Sequence, residues 1–196
     1  MVGHERGGIA PYWISSVVFS ADGERIVTAG YSDRSVRIWD VNSGTELQKL
    51  QDNSRIHFAD ISPDGRRIIT ASDRRVLVWN LDTGEQLPIL LIRGDHYRIY
   101  TASNGGGEAK SVAFSPDGQK VVVSFDRTIV DIIHDEKEFA FLRRTRIAAV
   151  YDSESGEELH RLQGHTATIN SAVFSHDGKR VITASDDGTA RIWILE

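Results

Sequence analysis

Along this chain the apolar residues come in short runs of four to six. VVFS (17–20), RIVTA (25–29) and SVRIWD (35–40) are rich in β-branched and aromatic residues, and polar turn residues separate them. That composition suits pleated, half-buried strands. Asp-Gly divides the first two runs and supplies the positive φ that a tight hairpin turn requires. No segment sustains a 3.6-residue apolar period over three turns, so helix is expected to be scarce and the fold all-β.

The pattern repeats. FSADG (19–23), ISPDG (61–65), FSPDG (114–118) and FSHDG (174–178) place Asp-Gly pairs 42, 53 and 60 residues apart. WDVNSG (39–44), WNLDTG (79–84) and YDSESG (151–156) follow the first three, each leading into TELQKL, EQLPIL or EELHRL. A base period near 42 implies insertions of about 11 and 18 residues, at about 91–107 and 129–146. Each copy reads as four strands in an antiparallel meander. The copies run about 14–50, 51–90, 108–162 and 163–196.

Three features together resemble the WD-repeat family of β-propellers: the period, the Trp39-Asp40 strand ending and the Gly164-His165 opening. The resemblance covers about residues 14–90 and 108–196. It implies an all-β domain of four-stranded antiparallel propeller blades. With four repeats, an incomplete ring is one expected outcome. It also implies a hydrogen-bonded network inside each blade. In the fourth copy this would join His165, Thr183 or Ser185, Asp187 and Trp193. The other copies keep parts of it: Asp33 and Trp39; Asp73 and Trp79; Asp126, with Tyr151 in place of tryptophan. A His–Asp pair beside a hydroxyl also has the residue types of a hydrolase triad. It recurs here as a framework signature without a nucleophile turn, so a structural role is expected.

Four copies raise a question of closure, since propellers have four to eight blades. The fourth copy has no leucine run of its own, and GIAPYWI (8–14) is the candidate for its outer strand. An open arc would leave Ile192, Trp193 and Ile194 along an apolar edge, a template for another chain. Three outcomes follow in order of preference: part of a larger propeller, closure with copies of itself, or closure alone.

Composition narrows the function. The formal charge is −5 and the pI near 5.8, which argues against a general nucleic-acid binder. There is no cysteine, hence no disulfide framework or thiolate metal site. No apolar run reaches the ~18 residues of a membrane helix, and the cytoplasm is the default compartment. The remaining histidines lack the spacing of a metal motif, Gly105-Gly106-Gly107 lacks the context of a phosphate loop, and no cofactor is expected.

What remains is loop chemistry. Tyrosine and arginine at strand ends or in insertions suit partner contacts. Tyr12, Trp13, Tyr31, Arg34, Arg74, Tyr97, Tyr100, Arg143 and Arg144 are the candidates for a protein or peptide partner. The second insertion, with Asp135, Glu136 and Glu138 before Arg143, Arg144 and Arg146, reads first as an extended hairpin with opposite charges paired across it. A docking arm is the sharper alternative. TIVDII (128–133) competes with AAVYD (148–152) for the third strand, and YDSESGEELHRL favours the later one. The expected function is a non-catalytic interaction scaffold. The alternatives are a fragment of a larger propeller, or a small-ligand or enzymatic site.

Overall fold

The computed structural model describes residues 13–72, 75–90, 108–133 and 139–195. Among them every regular element is a strand. The first sheet runs β1 (Ile14–Phe19), β2 (Arg25–Gly30), β3 (Ser35–Asp40) and β4 (Glu46–Gln51) in sequence order. The second runs β5 (Ile56–Ile61), β6 (Arg67–Ser72), β7 (Val76–Asn80) and β8 (Gln86–Leu90). The third comprises β9 (Glu108–Phe114), β10 (Lys120–Ile133), β11 (Phe139–Asp152) and β12 (Glu158–Leu162). The fourth has three strands, β13 (Ile169–Phe174), β14 (Arg180–Ser185) and β15 (Ala190–Ile194). All pairings are antiparallel, as short alternating runs joined by turns require.

Each Asp-Gly turn is built alike. Ser20 and Arg25 close a four-residue loop through Ser20 N–H to the Arg25 carbonyl, 2.9 Å, and Gly23 N–H donates back to Ser20 O, 2.9 Å. Gly23 sits at φ 72°, a left-handed position that costs a non-glycine residue roughly 1–2 kcal/mol. The Ser20 hydroxyl donates to Asp22 at 2.5 Å, and Ser62–Asp64, Ser115–Asp117 and Ser175–Asp177 repeat that bond.

The sheets stack face to face through three apolar layers. Val27, Ala29, Val36 and Ile38 of the first sheet meet Ile56, Ala59, Ile61, Ile68, Leu77 and Trp79 of the second. Ile69, Ala71, Val76 and Val78 then meet Val112, Phe114, Val121, Val123 and Tyr151 of the third. Val122, Ala148, Val150 and Leu162 meet Ile169, Ala172 and Val181 of the fourth. Strand alternation sends neighbouring residues to opposite faces. Each sheet therefore has a leading face toward its predecessor and a trailing face toward its successor. The trailing face of the fourth sheet and the leading face of the first lie outside these layers. Val173, Ile182 and Ile192 are exposed on one, and Val17 and Phe19 on the other.

Two details of the sequence reading change. AAVYD is the third strand, but TIVDII extends the second one: β10 and β11 form a fourteen-residue ladder from Lys120↔Asp152 to Ile133↔Phe139. Its register sets Arg143 opposite Ile129, Arg144 opposite Thr128 and Arg146 opposite Asp126. Asp135, Glu136 and Glu138 lie outside the described residues. On β15 the apolar edge is Ile192 and Ile194 only. Trp193 points to the other face and packs against the layer shared with the third sheet.

Candidate interaction surface

The polar network of the fourth sheet comes first, because its geometry separates framework from site. His165 Nδ1 lies 2.7 Å from Asp187 Oδ2, and His165 Nε2 lies 2.7 Å from Thr183 Oγ1. Trp193 Nε1–H donates to the same Thr183 oxygen at 2.9 Å. An indole only donates, so Thr183 accepts from it and donates its own proton to Nε2, leaving Nδ1–H for the carboxylate. Asp187 also accepts from the Thr189 hydroxyl at 2.6 Å and from Thr166 N–H at 3.0 Å. These bonds, the Thr189 hydroxyl foremost, hold its carboxyl well below the usual range. Ser185 instead donates to the Ala167 carbonyl, 3.1 Å.

Among the described residues the histidine has no counterpart in the first two sheets, but the indole bond persists. Trp39 donates to Thr28 at 2.8 Å and Trp79 to Thr70 at 3.0 Å. In the third sheet Tyr151 and Val123 replace both members of the pair and lie in one apolar layer. Thr28 and Thr70 escaped the motif reading because it followed the histidine. The signal was the TA or TAS that ends each of these strands. Asp33 bonds the Ser35 hydroxyl at 2.9 Å and pairs with the buried Arg37 guanidinium at 3.4 Å. Arg37 also pairs with Glu46 at 2.6 Å. Asp126 accepts from Thr168 of the fourth sheet, 2.9 Å.

Of the loop candidates, the structure gathers Trp13, Tyr31 and Arg34 at one corner, where β1 begins, β2 turns into β3 and β4 passes to β5. Tyr31 N–H donates to the Trp13 carbonyl, 3.2 Å. The two rings meet edge to face at 5.4 Å, and Trp13 is 55% exposed. Tyr31 also meets His57, again edge to face, at 5.2 Å. The Arg55 guanidinium stands 5.2 Å from the Tyr31 ring centre and donates to its hydroxyl at 3.3 Å. Arg34 donates to the Asn53 carbonyl at 3.2 Å. Arg55 and His57 escaped the sequence reading because they lie in QDNSRIHF, a segment read only as a degraded repeat opening.

The charges at this corner are unequal. Asp52 is buried and pairs with Arg75 at 2.6 Å, and Asp33 is held by Ser35 and Arg37. Arg34 and Arg55 are exposed, and each uses a guanidinium N–H on a neutral oxygen. Arg34 also has φ 56°, the one positive value outside glycine among the described residues. The matching turn of the fourth sheet has Gly188 there, at φ 80°. A long cation thus stands where local geometry favours glycine.

Tyr12, Arg74, Tyr97, Tyr100 and Asp73 lie outside the described residues. Arg143 and Arg144 lie on β11, on the extended hairpin and separate in sequence from the corner. Among the described residues no group of three or more histidine, aspartate or glutamate side chains has metal-site geometry, and no helix is long and apolar enough to cross a membrane.

Comparison with known proteins agrees with the architecture. The solved beta-propeller domain of Cps50 (Swd1) from Myceliophteria thermophila superposes with a TM-score of 0.70 at 11% identity, covering 93% of this chain and 52% of that one. The mouse serine-threonine kinase receptor-associated protein is 26% identical over 204 residues, 92% of this chain and 54% of the mouse protein. Eukaryotic translation initiation factor 3 subunit I of Culex quinquefasciatus is 27% identical over 184 residues, 93% of this chain and 51% of that protein. The chain thus spans about half the length of these relatives. The WD domain, G-beta repeat model matches residues 2–40, 44–80, 94–130 and 156–193. Its third match stops inside β10, where the extended hairpin interrupts the repeat. The sheets are propeller blades, and the chain belongs to the WD40 family of WD-repeat proteins.

Proposed function

We propose that this chain is a non-catalytic protein–protein interaction scaffold, placed in the cytoplasm, that holds an acidic protein segment at the corner built by Trp13, Tyr31, Arg34, Arg55 and His57. The observation carrying this reading is the pair of exposed guanidiniums beside an edge-to-face aromatic ladder. Arginine and aromatic side chains dominate binding energy at protein interfaces. Stacked blades hold the loops rigidly, which lowers the entropy cost of binding. Arg34 occupies a strained backbone position, and such strain concentrates at functional sites. Two guanidiniums, Arg34 and Arg55, fall short of the run of phosphate contacts through which nucleic acids bind, and leave an acidic peptide as the better match.

Trp13 supplies the readout, since Trp39 and Trp79 are buried and Trp193 is half-buried. Titration with an Asp/Glu-rich peptide is expected to change the indole fluorescence saturably. The effect should weaken between about 50 and 500 mM salt, as surface charges become screened. A Lys/Arg-rich peptide of equal length should do nothing. Equal responses to both peptides, or no response to either, would overturn the reading.

A further inference from the structure

Side chains join the first strands of successive blades edge to edge, and one of the three joints differs in kind. Between the first and second blades, Ser15 donates to the Ile56 carbonyl at 2.7 Å and Ser16 to the Ala59 carbonyl at 3.2 Å. Between the third and fourth, the Ser111 hydroxyl donates to the Ala172 carbonyl at 3.3 Å and accepts from Ala172 N–H at 3.1 Å. Serine hydroxyls carry no charge to gain or lose. β5 has no serine at this position. Phe58 stands there, opposite Ala71 as Ser16 is opposite Ala29, and packs into the apolar layer shared with the third blade.

Asp60 makes the link instead, two residues further along β5 and on the same face. Its Oδ2 accepts from Phe114 N–H of β9 at 2.8 Å, and its Oδ1 from Ile61 N–H at 2.9 Å. Val18, Ala113 and Val173 hold the corresponding positions of the other blades. Asp60 is half-buried, with the buried Ile69 opposite it across the ladder. Its charged surroundings are sparse. β1 holds no titratable residue. β2 and β3 meet the other face of β5, through Ala59 and Ile61, so Arg25, Arg37 and Asp40 lie beyond that face. On β5 itself His57 turns to Tyr31. On β9, Lys110 is four residues from Phe114, about 13 Å along the strand, and Glu108 is further still. Arg67 of β6 shares the face of Asp60, but its guanidinium donates to the Gly118 carbonyl at 2.9 Å and the Ser153 hydroxyl at 3.0 Å. Burial raises the Asp60 carboxyl above the ordinary 3.8, with the two N–H bonds opposing.

We infer that the joint between the second and third blades is an acid-responsive seam, in which protonation of Asp60 tightens the contact of β5 with β9. A carboxylate without a cation in an apolar layer carries a desolvation cost that the neutral acid does not. The neutral acid still keeps an oxygen for Phe114 N–H. A carboxyl raised in the folded state costs stability while ionised, and that cost is relieved as pH falls through the folded value. The four lowered Asp-Gly carboxyls act in the opposite direction on the global melt, so the seam is read locally.

Carboxyl-detected NMR titration of the 196-residue chain tests this. The Asp60 carboxyl is expected to titrate above 3.8, and the Phe114 amide to shift with the same midpoint. Amide exchange along β9, corrected for its intrinsic pH dependence, should slow severalfold between about pH 7 and pH 4 relative to Asp60→Asn. The histidines and the Asp-Gly turns titrate in both proteins, so the difference belongs to Asp60. A midpoint at or below 3.8 would overturn the inference. So would a Phe114 amide that ignores that midpoint, or equal pH dependence of β9 exchange in the two proteins. The wild-type titration decides the matter even where the variant fails to fold. None of these outcomes touches the acidic-peptide corner, whose fluorescence titration reads separately.

Discussion

Residues that look alike in the repeat carry different energies. Thr183 serves two partners, Trp193 and His165, whereas among the described residues Thr70 serves Trp79. A lone unsatisfied buried group costs about 1–3 kcal/mol. Thr183→Val should therefore destabilise by about 3 kcal/mol and Thr70→Val by about 1.5 kcal/mol, measured by chemical unfolding. Equal losses would mean that His165 adds nothing. Arg34 is the opposite case. Glycine relieves the left-handed strain of roughly 1–2 kcal/mol but loosens the unfolded chain by about 0.4–1 kcal/mol. Arg34→Gly is thus expected to keep or slightly raise the melting temperature while losing acidic-peptide binding. A variant that unfolds more easily would show that Arg34 holds the fold rather than a partner. The sequence displayed Trp39, Trp79 and Trp193 plainly. It did not display Thr28 and Thr70 as their acceptors, because a threonine in a strand is ordinary until its neighbour across the ladder is known.

At the scale of the element, the repeated turn is a small acid-sensitive device. Serine hydroxyls and the following backbone N–H groups lower the carboxyls of Asp22 and Asp117. Asp177 is brought to about 2 by Ser175 first, then by Lys179 N–H and Arg180. Burial opposes the shift at Asp64, where Ser62, Arg66 N–H and nearby cations outweigh it. Folded carboxyls below their unfolded value of 3.8 stabilise the native state above that pH, and the contribution vanishes as pH falls toward about 2. Melting temperature should accordingly be flat above about pH 5 and fall steeply below about pH 4. A melt indifferent to pH in that window would remove the turns as a source of stability. Strand existence and the Asp-Gly turns were legible in the sequence because they rest on local composition. The second insertion was legible as a hairpin, but the register that sets Arg143, Arg144 and Arg146 opposite Ile129, Thr128 and Asp126 was not. Register is set over the whole ladder, and a charge run does not report which residue it faces.

For the molecule as a whole, a strongly repetitive interior carries one exceptional region, the arginine-rich corner of the first two blades. The sequence revealed that four copies posed a problem of closure and that Ile192 and Ile194 would lie open. It did not reveal that Val17 and Phe19 are exposed as well. VVF reads like any inner strand until the exposure of its side chains is known. The corner was partly legible through Trp13, Tyr31 and Arg34. Arg55 and His57 enter it only because the fold brings the β4–β5 passage beside Tyr31. Recognition is proposed to happen there, while the stacked blades only hold the corner in place. Amide hydrogen exchange of the whole chain, with and without the Asp/Glu-rich peptide, tests that directly. Slowed exchange is expected at residues 31–34 and 53–57, with β9 to β12 unchanged. Protection confined to the third blade, or none at all under saturating peptide, would contradict it.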